Sequence, residues 1–189
     1  MGVIYMNIKL IADSTCDLSD DLIQKYNIRI APLNISMGDS VLRDGAEITA
    51  KNIFDYVESG KGICHTSAVN IDEYSRIYSE ERPNCDAIIH FTISEDMSSC
   101  YQNARVAAEE FDNIYHVDSR NLSTAIGHLV LDAAELSAQG LPRAAGVTMR
   151  EADEAPICVY HLAAEGFYIE LVNRALRPFL LGLAPGGEP

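Results

Sequence analysis

Apolar and polar positions alternate between two periods along the first 140 residues. Lys9–Ala12, inside IKLIAD, is a short apolar run ending at Asp13 and predicts a first strand. DLSDDLIQKYN places Leu18, Leu22, Ile23 and Tyr26 at helical spacing behind the capping residues Asp17 and Ser19. IRIAPLNI reads as a second strand, in which Pro32 marks a bend or an edge because proline cannot donate to a ladder. SMGDSVLRDG reads as a hairpin or loop excursion. ITAKNIFDYVESG predicts a helix with Thr49 as cap and Gly60 as stop. NIDEYSRIYSEE predicts another, with Asn70 and Glu73 in capping-box spacing. DAIIHFTI is apolar throughout, as a strand covered on both faces should be. SSCYQNARVAAEEF predicts a helix with Ser99 and Gln102 in box spacing, NIYHVDS a fourth strand, and LSTAIGHLVLDAAELSAQG a long helix closed by Gly140. This strand–helix alternation predicts an α/β fold, a parallel sheet flanked by helices.

Composition divides the chain. Residues 1–140 hold two prolines and all four lysines, whereas residues 141–189 hold five prolines, no lysine and a turn-rich end, LLGLAPGGEP. We therefore expect one coherent domain over 1–140 and an unmatched tail over 141–189. The net charge of −14, from 28 acids and 14 bases, excludes a phosphate-backbone binder and disfavours docking on anionic membrane. No run of about 18 apolar residues predicts a membrane span. The start, MGVIYMNIKLIADST, lacks a basic n-region and an A-x-A site, so it reads as a strand rather than a signal peptide. The five cysteines are odd in number and form no C-x-x-C pair, which fits reduced thiols in a cytoplasm. The scattered histidines offer no metal spacing, and no glycine-rich phosphate loop occurs, so neither a metal nor a cofactor is expected.

In an open parallel sheet, ligands bind beyond the carboxyl ends of the strands. The residues expected there are Asp13-Ser14-Thr15-Cys16, Thr66-Ser67, Ser94 through Ser99, and Asp118-Ser119. Small hydroxyls at helix N-termini suit a single anion, a carboxylate or a phosphate. Taken singly, each reads more readily as a helix cap than as a ligand contact, Ser99 above all; Thr66-Ser67 less so, because Asn70 already supplies the cap. A Ser–His–Asp triad can be assembled on paper from these serines, from His65, His90 or His116, and from Asp13 or Asp118, but no G-x-S-x-G elbow supports it. His90 and His116 lie in apolar strands and read as hydrogen-bonded core. Cys16 and Cys100 stand near helix N-termini and read as inert small side chains. The acid pairs Asp20-Asp21, Glu80-Glu81 and Glu109-Glu110 read as solvated surface.

Four stretches carry a resemblance: IADSTCDLSDDLIQKYNIRIAPLNI, CHTSAVN, HFTISEDMSSCYQNARVAAEEF and YHVDSRNLSTAIGHLVLDAAELSAQG. In this order they resemble the DegV family of bacterial fatty-acid-binding proteins, which includes the FakB subunits of fatty acid kinase. The family shows a D-S-T-x-D-L opening, a T-S-Q-P-S loop, an L-S-G-T-Y helix start and a V-[IV]-D-S segment before a glycine-containing helix. The resemblance implies an α/β domain with a parallel sheet, a second α/β domain, and one acyl chain buried between or beside them. It implies that Thr66, with Ser67 beside it, and Ser98, with Ser99 beside it, hold the carboxylate of a long-chain fatty acid. It implies no catalysis by this chain, which would present its ligand to a separate kinase subunit that makes an acyl-phosphate. The sequence departs from the pattern in three places. The loop is T-S-A-V-N; Ser99 replaces the glycine of L-S-G; and the second domain's G-G-R region and the basic or histidine residue near the carboxylate have no match in 141–189. An overlapping frame across Arg174–Arg177 can encode Gly-Arg-Cys, so the tail fits a frameshifted or truncated second domain, or else a divergent tail of its own. The competing readings are a small serine hydrolase or phosphotransferase using the same hydroxyls, and an inactive truncated product.

Overall fold

The computed structural model describes residues 7–138. Its elements are β1 (Ile8–Asp13), a 3-10 turn (Ser14–Cys16), α1 (Asp20–Lys25), β2 (Arg29–Ala31), β3 (Asn34–Met37), β4 (Ser40–Arg43), α2 (Ala50–Glu58), β5 (His65–Ser67), α3 (Ile71–Glu81), a second 3-10 turn (Arg82–Asn84), β6 (Ala87–Thr92), α4 (Cys100–Ala108), β7 (Ile114–Asp118) and α5 (Thr124–Ala138). A four-stranded parallel sheet runs in the order β2-β1-β6-β7, and a three-stranded antiparallel sheet in the order β4-β3-β5. The expected fold class is therefore observed. What was read for 141–189, and for the closure of α5 at Gly140, lies outside the described residues.

All six residues of β6 are buried, as its unbroken apolar pattern requires of an inner strand. Its register sets Ile11 opposite His90, His90 opposite His116, and Thr92 opposite Asp118. Side chains alternate along a strand, so Ile11, Asp13, His90, Thr92, His116 and Asp118 share one face. Tyr74 and Tyr78 of α3 reach that face with their hydroxyls. α4 packs on α3 and on β7, and α5 on β1 and β6.

The run read as one strand, IRIAPLNI, is two strands in two sheets. β2 pairs in parallel with β1, and β3 pairs with β4 and β5. Pro32 separates them, having no N–H to continue the parallel ladder. Leu33 N–H instead donates to Ser14 Oγ at 3.1 Å, and Ser14 Oγ donates to Asp44 Oδ2 at 2.7 Å. The hairpin expected over SMGDSVLRDG is the β3–β4 pair, turning at Gly38 with φ +62°.

Several of the expected caps differ in detail. Ser19 stands at the N-cap of α1 without a side-chain cap bond, and Asp17 closes the preceding 3-10 turn at φ +51°. Thr49 caps α2 and completes a box with Asn52. Asn70 accepts from Glu73 N–H at 2.8 Å, but the Glu73 side chain turns to Arg76 and leaves the box half made. The Ser99–Gln102 box does not form. Ser99 makes no side-chain cap bond, and Ser98 Oγ takes the Cys100 N–H at 3.3 Å.

Candidate functional site

The carboxyl ends of β1, β6 and β7 meet over a buried polar layer. Asp13 is fully buried at the end of β1. Its Oδ1 accepts from Tyr74 OH at 2.7 Å and lies 3.3 Å from His90 Nε2, and its Oδ2 accepts from Ile93 N–H at 2.9 Å. Three donors on one carboxylate compensate a desolvation that would otherwise be prohibitive. His90 Nδ1 lies 2.7 Å from Tyr78 OH, which lies 3.1 Å from His116 Nε2. One arrangement satisfies every group: His116 Nε2–H donates to the Tyr78 oxygen, Tyr78 O–H to His90 Nδ1, and His90 Nε2–H to Asp13. Burial, with His90 and Arg105 nearby, pushes the His116 imidazole down to about 3, so it stays neutral. Burial likewise raises both phenols well above their usual value. The two histidines are core residues, as their apolar strands suggested, and their bonds to Asp13 and Tyr78 commit them to this network rather than to a serine.

The turn from Ser94 to Ser99 follows β6 and carries Ser98. Met97 N–H and Ser98 N–H both donate to Ser94 O, at 3.0 and 3.1 Å. Asp118 at the end of β7 steadies the turn from the side: its Oδ1 accepts from Glu95 N–H and Arg120 N–H, each at 3.0 Å. Half-buried Ser98 accepts from Cys100 N–H and donates to Cys100 Sγ at 3.2 Å. Sulfur is a weak acceptor, so this O–H is open to a stronger one such as a carboxylate at the α4 N-terminus. Burial raises the Cys100 thiol, and it raises Cys16 to about 11; both stay protonated, in keeping with inert roles. Glu95, Asp96, Met97 and Ser99 are exposed. The two acids flank Ser98 from solvent, where screening weakens their repulsion of an anion.

Of the other hydroxyls expected at this rim, several are already engaged. Ser14 bridges Leu33 and Asp44, and Ser119 Oγ exchanges bonds with Asn121 N and O at 3.1 and 3.2 Å. Thr15 Oγ1 and Thr92 Oγ1 are buried and lack a hydrogen-bond partner among the described residues.

Thr66 and Ser67 do not stand on the rim of the parallel sheet. They lie in β5, opposite Ile35 and Asn34 of β3, and both are exposed. The strand nonetheless leads toward Ser98. Ala68 O accepts from Asn34 Nδ2 at 3.3 Å, and Val69 O accepts from Asn103 Nδ2 of α4 at 2.7 Å. Val69 is thus a shared anchor: the Thr66-Ser67 strand reaches it from one side and the Ser98-bearing helix start from the other. Sequence reading missed Tyr74, Tyr78 and the buried role of Asp13. Two tyrosines at i, i+4 on a helix beside a strand containing histidine were the available signal. Among the described residues, no group of three or more His, Cys, Asp or Glu side chains could hold a metal ion, and no helix is long and apolar enough to cross a membrane.

Comparison with known proteins bears on the family and the fold. The family described as "Uncharacterised protein, DegV family" matches residues 7–161. A curated DegV domain-containing protein of Clostridium perfringens is 34% identical over 136 residues, 71% of this chain and 49% of that protein. A solved structure described as fatty acid binding of a DegV family protein from Thermus thermophilus superposes with a TM-score of 0.68 at 34% identity, covering 73% of this chain and 50% of that one. DegV of Bacillus subtilis, described as a fatty acid binding protein, gives a TM-score of 0.67 at 28% identity, covering 71% and 48%. The chain spans about half the length of the curated relatives it matches.

Proposed function

We propose that this chain, which belongs to the DegV family, binds one long-chain fatty acid through its carboxylate. Its structural relatives from Thermus thermophilus and Bacillus subtilis are described as binding fatty acids. The observation that carries the reading is the start of α4, where Asn103 anchors the segment after Thr66-Ser67 through Val69 O and Cys100 N–H donates to Ser98 Oγ. In this reading the Thr66 and Ser98 hydroxyls donate to the carboxylate, with Ser67 and Ser99 beside them.

The energetics are favourable. Burying about fourteen methylenes contributes roughly 11 kcal/mol gross, at ~0.8 kcal/mol each. Lost freedom and ordering offset several kcal/mol of it. The head group needs donors, because a bare buried carboxylate is very costly. Two hydroxyls beside the positive end of a helix meet that need through charge-assisted bonds. In this reading residues 1–140 form the ligand-binding domain, and the bound acid is presented in the cytoplasm to a separate kinase subunit for acyl-phosphate formation. The chain itself performs no chemistry.

Titration of the full chain with a fatty acid tests the proposal. Ser98→Ala and Thr66→Ala should each weaken binding by about 1–3 kcal/mol, as for a lost hydrogen bond to a charged partner. Unchanged affinity in both variants refutes the assignment.

A further inference from the structure

The turn carrying Ser98 is fastened at its entrance to a buried carboxylate, where Ile93 N–H donates to Asp13 Oδ2 at 2.9 Å. At its exit, Cys100 opens α4, takes the Ser98 O–H on its sulfur at 3.2 Å, and is electrostatically coupled to the Tyr74 hydroxyl. Tyr74 in turn donates to Asp13 Oδ1 at 2.7 Å. Asp13, Tyr74 and Cys100 are all fully buried.

We infer that Asp13 is a positioning residue for Ser98, acting through the Ile93 amide at the entrance of the turn, with its carboxylate held in place by the Tyr74 hydroxyl of α3. Resting on the fatty-acid reading, the inference gives this buried carboxylate a task beyond stability, since a buried charge by itself is weak evidence for a stabilising role. The clamp fixes the backbone from which Ser98 projects, so the hydroxyl meets its acceptor without first being ordered.

The test uses the full chain, with palmitate as probe, and the variants Asp13→Asn and Tyr74→Phe, each alone and combined with Ser98→Ala. Affinity is measured where circular dichroism shows every variant folded. Each single substitution should raise the Kd for palmitate about three- to tenfold, the scale of one lost hydrogen bond. In the Ser98→Ala background the same substitutions should change it less than about twofold, because residues acting through one another are not additive. Amide exchange at Met97 and Ser98 should also quicken in both single variants. An unchanged Kd, or a full additional loss in the Ser98→Ala background, overturns the inference. Tyr74→Phe decides alone if Asp13→Asn does not fold. Should the wild-type chain take up no palmitate, the fatty-acid reading fails by itself, and the exchange rates still judge the clamp: unchanged rates at both amides overturn it.

Discussion

Gly127 sits in the first turn of α5, where the helix presses on the 3-10 turn that follows β1. A Cβ there would lie 2.6 Å from the Cys16 carbonyl oxygen and 3.1 Å from Leu18 Cδ2. The first contact is with backbone, which cannot swing aside as a side chain can. To reach even the 3.0 Å limit of real Cβ contacts, helix or turn must move by the difference, 3.0 − 2.6 = 0.4 Å. Within a close-packed core such a shift is shared with Ile126 and Val130 of α5 and with Cys16, all fully buried or nearly so. Overpacking of this kind costs about 1–3 kcal/mol. Alanine's helix propensity returns about 1 kcal/mol of that. We therefore expect Gly127→Ala to destabilise the fold by up to about 2 kcal/mol, read as a lower urea midpoint with unchanged slope. A variant more stable than the wild type would refute the close approach of α5 to the turn.

Two further outcomes follow from the buried network. Tyr78→Phe strips the hydroxyl that stands between His90 Nδ1 at 2.7 Å and His116 Nε2 at 3.1 Å. It should cost about 1–3 kcal/mol of unfolding free energy in urea, and a loss below about 0.5 kcal/mol would contradict the shared bond. Acid should act through His116, whose folded value is lowered from 6.5 to about 3. A group held neutral in the fold takes its proton only on unfolding, so its stabilising share is complete above pH 6.5 and is lost as pH falls toward 3. Relative to His116→Gln, the wild type should lose up to about 1.4 kcal/mol per pH unit across that window. Parallel stability–pH curves for the two proteins would refute it.

The layered fold was legible because its signals are local. β6 announces itself as an unbroken apolar run, α2 by Thr49 and Gly60, and α3 by Asn70. What escaped was decided by partners distant in sequence. Pro32 marks an interruption, but only the bonds of Leu33 and Asp44 to Ser14 show that the chain there passes from one sheet to another. Ser99 has the spacing of a capping box, yet the preceding hydroxyl is the one that meets Cys100 N–H. Thr66 and Ser67 precede α3 and so read as part of the parallel rim, whereas pairing with β3 sets them on a separate sheet. Asp13 at the end of an apolar strand reads as a rim residue. Its burial depends on Tyr74 and on the Ile93 amide, many residues away, and no local pattern encodes that meeting.

The central claim is that this chain carries a fatty acid, and native mass spectrometry of the purified full-length chain addresses it most directly. The account predicts a species heavier than the bare chain by one fatty acid, present as isolated or formed on mixing with palmitate, and depleted in Ser98→Ala. A folded wild-type chain that appears only at its bare mass in the presence of excess palmitate would contradict it.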